Sequence, residues 1–299
     1  MYYVDEVTHN SAYKQQQESS PAYVLLPETT EYGSNFPIIS FGHGLESQAP
    51  MYLEMLERVC SFGFIIVASN ATSAVFAQLG TEEFPAVESG FEFVPEVGGA
   101  DFADMMLHCL AMVEKAGTNE TFAEEIGVPE LFNLTDGSMM AMMGHSMGGA
   151  AVTQGATRWV EKMDAIVPLH ASPFFNGAPI GVDNNIPSFF VTATRDTIVP
   201  SFFIITYVYR MHAPPKIVAN LKGGTHDEPL RPYTENRDLP WIIAFLLLHL
   251  SNRTELAPFL YGRGDNALKG DGRYRVNMDC GEVSCEEYAE TVALTSSDD

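Results

Sequence analysis

Basic residues are scarce: 16 Lys and Arg stand against 39 Asp and Glu in 299 residues, a formal net charge of −23. A surface of that sign repels phosphate backbones and anionic membrane faces, and no basic patch interrupts it, so no nucleic-acid partner is expected. Cysteine is sparse as well, with four in the chain, which excludes a disulfide-dense small scaffold. Cys280 and Cys285 lie five apart in a polar tail, close enough for a small-loop disulfide, and no His stands near them to build a zinc site. Cys60 and Cys109 fall in helical apolar patterns and read as buried thiols. The longest apolar run, Trp241 to Leu250, is about half of the roughly 20 residues a bilayer-spanning helix needs, so a buried helix is expected and no transmembrane segment. The start, MYYVDEVTHN, has neither a basic nor an apolar leader region. Four acceptor sequons, at Asn70, Asn119, Asn133 and Asn252, exceed the roughly one or two that composition gives, and lean towards a glycoprotein. The expectation is a secreted protein whose leader has been removed, with a cytoplasmic location left open.

A chain of this length with 46% hydrophobic residues can bury roughly 75% of its unfolded surface and needs no second domain. Short apolar runs bounded by Gly, Pro, Asp or Asn occur at 38–41, 64–68, 139–143, 165–169, 188–193 and 216–221, and read as strands buried on both faces. Helical patterns lie between them at 51–60, 101–115, 147–162, 202–211 and 240–251. Strand alternating with helix predicts an α/β domain with a mostly parallel sheet flanked by helices. The expected division is an N-terminal extension over 1–35 with one edge strand at 22–26, a catalytic-type domain over 36–262, and an acidic appendage over 263–299. The stretch 69–99, with four Phe among Glu, Gly and Pro, reads as a long loop able to cover a site.

The strongest chemical signal is MMAMMGHSMGG at 139–149, an apolar strand running into Gly-x-Ser-x-Gly and a small-residue helix start. A sharp strand-to-helix turn lifts Ser146 above the sheet and sets it at a helix N-terminus, while Gly144 and Gly148 leave room for the turn. A serine hydroxyl needs a base and an acid to orient that base, in the chain order Ser, Asp or Glu, His. His226 follows the 216–221 strand and Asp196 follows the 188–193 strand, both at carboxyl ends of the sheet. His249 lies in an apolar helix, His212 precedes Ala-Pro-Pro, and His170 precedes any acid, so these read as structural or as pocket lining. The oxyanion needs two N–H donors, expected from Met147 and, in the Phe-Gly-His-Gly-Leu loop at 41–45, from Leu45. His43 reads as a loop-holding residue.

Together the segments 41–45, 61–67, 144–149, 195–200, 223–226 and 252–260 resemble the cutinase-like polyesterases and lipases of the α/β-hydrolase fold, a group that includes the poly(ethylene terephthalate) hydrolases. The resemblance implies the same catalytic set: Ser146 as nucleophile, His226 as base, Asp196 as acid, and Leu45 and Met147 as oxyanion donors. It implies a small-molecule or polymeric ester as substrate, no metal or organic cofactor, and a monomer. Substrate contacts are expected from His145, Ser172, Phe174 and Ile198. Leu45 replaces the family's oxyanion-loop aromatic, and Ser172 or a neighbour its clamp Trp, with Phe174 or Phe175 as substitutes. The 41–45 loop also resembles platelet-activating-factor acetylhydrolases and the Gly-His-Ser elbow that of chlorophyllase-like enzymes. A non-catalytic module on the same fold, and a thioester or amide hydrolase, are the other readings.

Overall fold

The structure is a computed structural model that describes residues 1–11, 16–28, 35–70, 95–171, 174–175, 178–179, 185–208, 210 and 212–294. Of these, it leaves undescribed the side chains of 5–11, 16–20, 95–101, 174–175, 178–179 and 207–208. Its frame is a nine-stranded sheet in the order β1 (Tyr2–Ser11), β2 (Gln16–Leu25), β4 (Ile65–Ser69), β3 (Phe36–Gly42), β5 (Thr135–His145), β6 (Ala165–Leu169), β9 (Ser188–Ala193), β10 (Lys216–Leu221) and β11 (Tyr274–Asp279). The six strands from β4 to β10 pair in parallel, and antiparallel strands close both flanks. A second, two-stranded sheet joins β7 (Phe174–Phe175) to β8 (Ala178–Pro179).

The apolar runs become central strands because both of their faces are covered. Alternate residues feed two cores: Ile39, Phe41, Ile66, Ala141 and Met143 point to one, while Ile38, Ile65, Val67, Met140 and Met142 point to the other. On the first face lie α1 (Leu53–Cys60) and the run 241–250, which forms most of the apolar helix Leu239–Leu250. On the second lie α2 (Pro95–Thr118), then, after the short α3 (Glu120–Glu125), the helix α4 (Met147–Arg158). No described helix is long and apolar enough to cross a membrane.

Three expectations change. The 1–35 segment supplies not one edge strand but a hairpin, β1 and β2, whose inner residues Val4, Ala22 and Val24 join the second core. The 263–299 segment is not a mere appendage, since Tyr274–Asp279 pairs antiparallel along the whole of β10 and the helix Cys285–Leu294 packs on the first core. The loop expected over 69–99 ends early, because α2 begins at Pro95, a residue whose fixed φ suits a first helical position. The rest of that loop, 71–94, lies outside the described residues. Cys280 and Cys285 are disulfide-bonded, and Cys60 and Cys109 are buried free thiols whose ionisation burial pushes up to about 12. His212 is buried and His249 half-buried in its apolar helix, and desolvation holds both down to about 3.

Candidate active site

Ser146 sits between the end of β5 and the first residue of α4. Its φ of 56° and ψ of −113° lie in a region non-glycine residues rarely adopt, a strain on the order of 1–3 kcal/mol. The surroundings hold it there. Its N–H donates to Leu169 C=O at 2.8 Å, and a Cβ on Gly144 would meet the Gly148 carbonyl at 2.5 Å, while one on Gly148 would meet Gly42 O at 2.1 Å. The two glycines of the motif are thus packing requirements: the elbow is pressed against the loop after β3. Along 140–153 every residue is buried except Ser146, which keeps partial exposure.

The neighbouring strands deliver the other groups. Asp196 follows β9 and His226 follows β10, and their loops are stitched together: Thr194 N–H donates to Leu221 O and Arg195 N–H to Gly224 O, at 2.9 and 3.0 Å. The loop turns at Gly223, where φ is +72°. His226 Nδ1–H donates to Asp196 Oδ2 at 2.8 Å. Asp196 Oδ1 accepts from the N–H groups of Ile198 and Val199 at 3.0 and 2.7 Å. Burial alone would push this carboxyl up. The hydrogen bonds from His170, His226 and Val199 outweigh it and hold the group well below the ordinary carboxylate range.

Two histidines carry more of the arrangement than their sequence positions suggested. His170, the residue after β6, donates from Nδ1 to the same Oδ2 at 3.0 Å. His145, expected on the substrate wall, is 2% exposed and has both ring nitrogens engaged. Its Nε2–H donates to the carbonyl of His226 at 2.9 Å, so the neutral ring accepts at Nδ1, where Tyr52 O–H donates at 2.8 Å. The Tyr52 oxygen in turn accepts from Gly44 N–H at 3.1 Å. Burial, with His226 and His170 beside it, holds His145 well below its ordinary value and keeps it neutral. A hydrogen-bonded chain therefore runs from the 42–45 loop through Tyr52 and His145 to the backbone of His226. Neither Tyr52 nor His170 had a local signal for these contacts, whose partners lie 93 and 26 residues away.

Leu45 and Met147 flank the serine from the loop and the helix. Met147 is the first residue of α4, where no intrahelical acceptor exists, and among the described residues neither N–H is matched to an acceptor. His43 Nδ1 lies 2.8 Å from Gly44 O and its ring packs against Phe102, which fits a loop-holding residue. Ile198 is 67% exposed beside Asp196. Ser172 lies outside the described residues, and of Phe174 only the backbone, in β7, is described.

Two imidazoles and a carboxylate are also a set a transition metal accepts, and one ligand atom from each of His170, Asp196 and His226 falls within 4.8 Å of the others. Each Nδ1 faces one shared oxygen at 2.8 or 3.0 Å, the distances at which an imidazole N–H donates to a carboxylate, so the three groups stand as a hydrogen-bonded set.

A large, mostly parallel sheet flanked by helices on both faces, with Ser146, Asp196 and His226 past the carboxyl ends of its strands, is consistent with the α/β-hydrolase fold. A sequence profile of the chlorophyllase family, an esterase group with an α/β-hydrolase-like fold, matches residues 2–97. That is about a third of the chain, from the hairpin through the 42–45 loop, and it ends before Ser146, Asp196 and His226. No curated protein matches the chain.

Proposed function

We propose that this protein is a serine carboxylic-ester hydrolase. The observation that carries the proposal is the conjunction of a strained, partly exposed Ser146 at the strand-to-helix elbow with the His226–Asp196 pair on the next strand ends. In this reading Ser146 Oγ attacks the ester carbonyl, and His226 Nε2 takes the proton and passes it to the leaving alcohol. Asp196, fixed by its backbone donors, holds the imidazole tautomer and stabilises the imidazolium. The N–H groups of Leu45 and Met147 receive the tetrahedral oxyanion, each worth on the order of 3 kcal/mol in the barrier. Water, activated by His226 in turn, releases the acyl group and restores the serine.

The profile match favours a chlorophyllase-like esterase over a polyesterase, and the exposed Ile198 beside Asp196 supplies an apolar rim for an ester of low polarity. The test is hydrolysis of p-nitrophenyl esters from acetate to palmitate, with Ser146→Ala protein as the blank, followed by chlorophyll and by amorphous poly(ethylene terephthalate). Ser146-dependent turnover of the small esters and of chlorophyll, without polymer release, supports the reading as stated. Turnover of the polymer moves it to the cutinase-like group, and no activity above the blank on any ester refutes it.

A further inference from the structure

Asp196 carries one donor more than the orientation of a base requires. The His170–Asp196 pair is completely buried, side chain against side chain. His170 reaches it from a left-handed backbone, φ +47°, which its own N–H stabilises by donating to Val191 O at 2.7 Å. Its Nε2 is buried with no hydrogen-bond partner among the described residues. An apolar side chain would fill the same space with no orphaned nitrogen. What the histidine adds is one N–H, aimed at the oxygen that His226 also uses.

We infer that His170 is a positioning residue for the ester hydrolysis: its Nδ1–H fixes the Asp196 carboxylate and draws charge from Oδ2 while His226 gains and loses its proton. The inference rests on the proposed roles of Asp196 and His226. Two consequences follow from the geometry. When His226 is displaced, Oδ2 keeps a donor and the buried carboxylate is not left bare. With His170 present Oδ2 is also a weaker partner for the His226 imidazolium, so removing that N–H strengthens the ion pair. Other titratable groups face this set: His145, whose ring centre lies 4.7 Å from that of His226 and 6.0 Å from that of His170, Asp227 next to His226, and Asp238, which is buried and feels His170, with Glu228 and Arg237 around it. All are retained in the variants below.

The experiment compares kcat and KM for p-nitrophenyl butyrate between about pH 5 and pH 9 in wild type, His170→Leu and His170→Asn. His170→Leu is expected to lose roughly 10- to 100-fold in kcat with KM within about two-fold. Its acid limb in kcat/KM should move up by roughly half a pH unit or more. His170→Asn, whose amide N–H stands near the place of Nδ1–H, is expected to restore most of kcat and the wild-type limb. An unchanged limb and kcat in His170→Leu, or an Asn variant as slow as Leu with the limb unmoved, overturns the inference in favour of packing. Low-field proton NMR of the wild-type protein needs neither turnover nor a mutant. Beside that of His145 Nε2–H, it should show two imidazole N–H signals from protons held on a carboxylate, those of His226 and His170. Both signals with no ester turnover would refute the proposed function while leaving the contact standing. Absence of the His170 signal would refute the inference itself.

Discussion

Replacing Tyr52 by Phe tests the hydrogen-bonded chain that ties the 42–45 loop to the base. The side chain is 1% exposed and its ring lies 4.9 Å from that of Phe41, contacts a phenyl ring keeps. What disappears is the hydroxyl between Gly44 N–H and His145 Nδ1. Both partners are buried, and each group left without a partner costs about 1–3 kcal/mol, so the sum is about 2–6 kcal/mol. Unfolding entropy of about 2.1 cal/mol/K per residue gives about 0.6 kcal/mol/K for 299 residues, which converts this to a fall in Tm of about 3–10 °C. The freed Gly44 N–H loosens the 42–45 loop that carries the Leu45 N–H, and kcat on p-nitrophenyl butyrate should fall by roughly 10-fold, within the ceiling set by loss of a whole oxyanion donor. Calorimetry and steady-state kinetics read the two effects separately. A Tm within about 1 °C of wild type together with an unchanged kcat would refute the reasoning.

The remaining predictions concern the serine, the elbow and acid. Ser146→Ala and His226→Ala should abolish ester turnover with Tm nearly unchanged, and activity retained in either sinks the assignment. Gly148→Ala places a Cβ 2.1 Å from Gly42 O and 2.7 Å from His43 O, backbone atoms that cannot turn aside, so a loss above about 3 kcal/mol is expected in urea unfolding. Gly272→Ala, with nothing within 4 Å of its Cβ, serves as the silent control. His212 and His249, held down to about 3, stay neutral in the fold while the unfolded chain takes up protons below about 6.5, so stability should fall as pH drops from about 6.5 towards 3. Asp238, pushed up to about 6 by burial, binds its proton in the fold first and opposes that fall between about 6 and 4. Asp196 adds its own loss only below about 4, as the pH drops towards its depressed value. His249→Leu should flatten the slope above pH 4; a slope identical to wild type would count against the burial argument.

Most of the central sheet was legible because its strands are buried on both faces and therefore spell continuous apolar runs. The runs at 165–169, 188–193 and 216–221 coincide with β6, β9 and β10 to the residue. The flanking strands were not legible for the converse reason. Tyr274–Asp279 is half exposed, one Tyr buried among Arg, Asn and Asp, and QQESSPAYVL hides a strand behind a polar start. Ser146, Asp196 and His226 could be singled out because each stands within a few residues of the end of a recognisable strand. The contacts of His170 and Tyr52 could not, since they depend on how strands and helices are stacked. The same limit explains His145, whose place in the motif marked it as a site residue but gave no sign that its ring would turn inwards to Tyr52 and His226.

The antiparallel strand laid along β10 has a consequence for how the protein behaves among its own copies. β10 is a fully buried strand, KIVANL, whose outer row of N–H and C=O groups is taken up entirely by residues 274–279. Were the chain cut at 262, where the sequence invites a boundary, that row would be bare along six residues, four of them apolar. A second molecule could then add its own strand there. The acidic segment that follows the hydrolase-like core is therefore what keeps one edge of the sheet from polymerising.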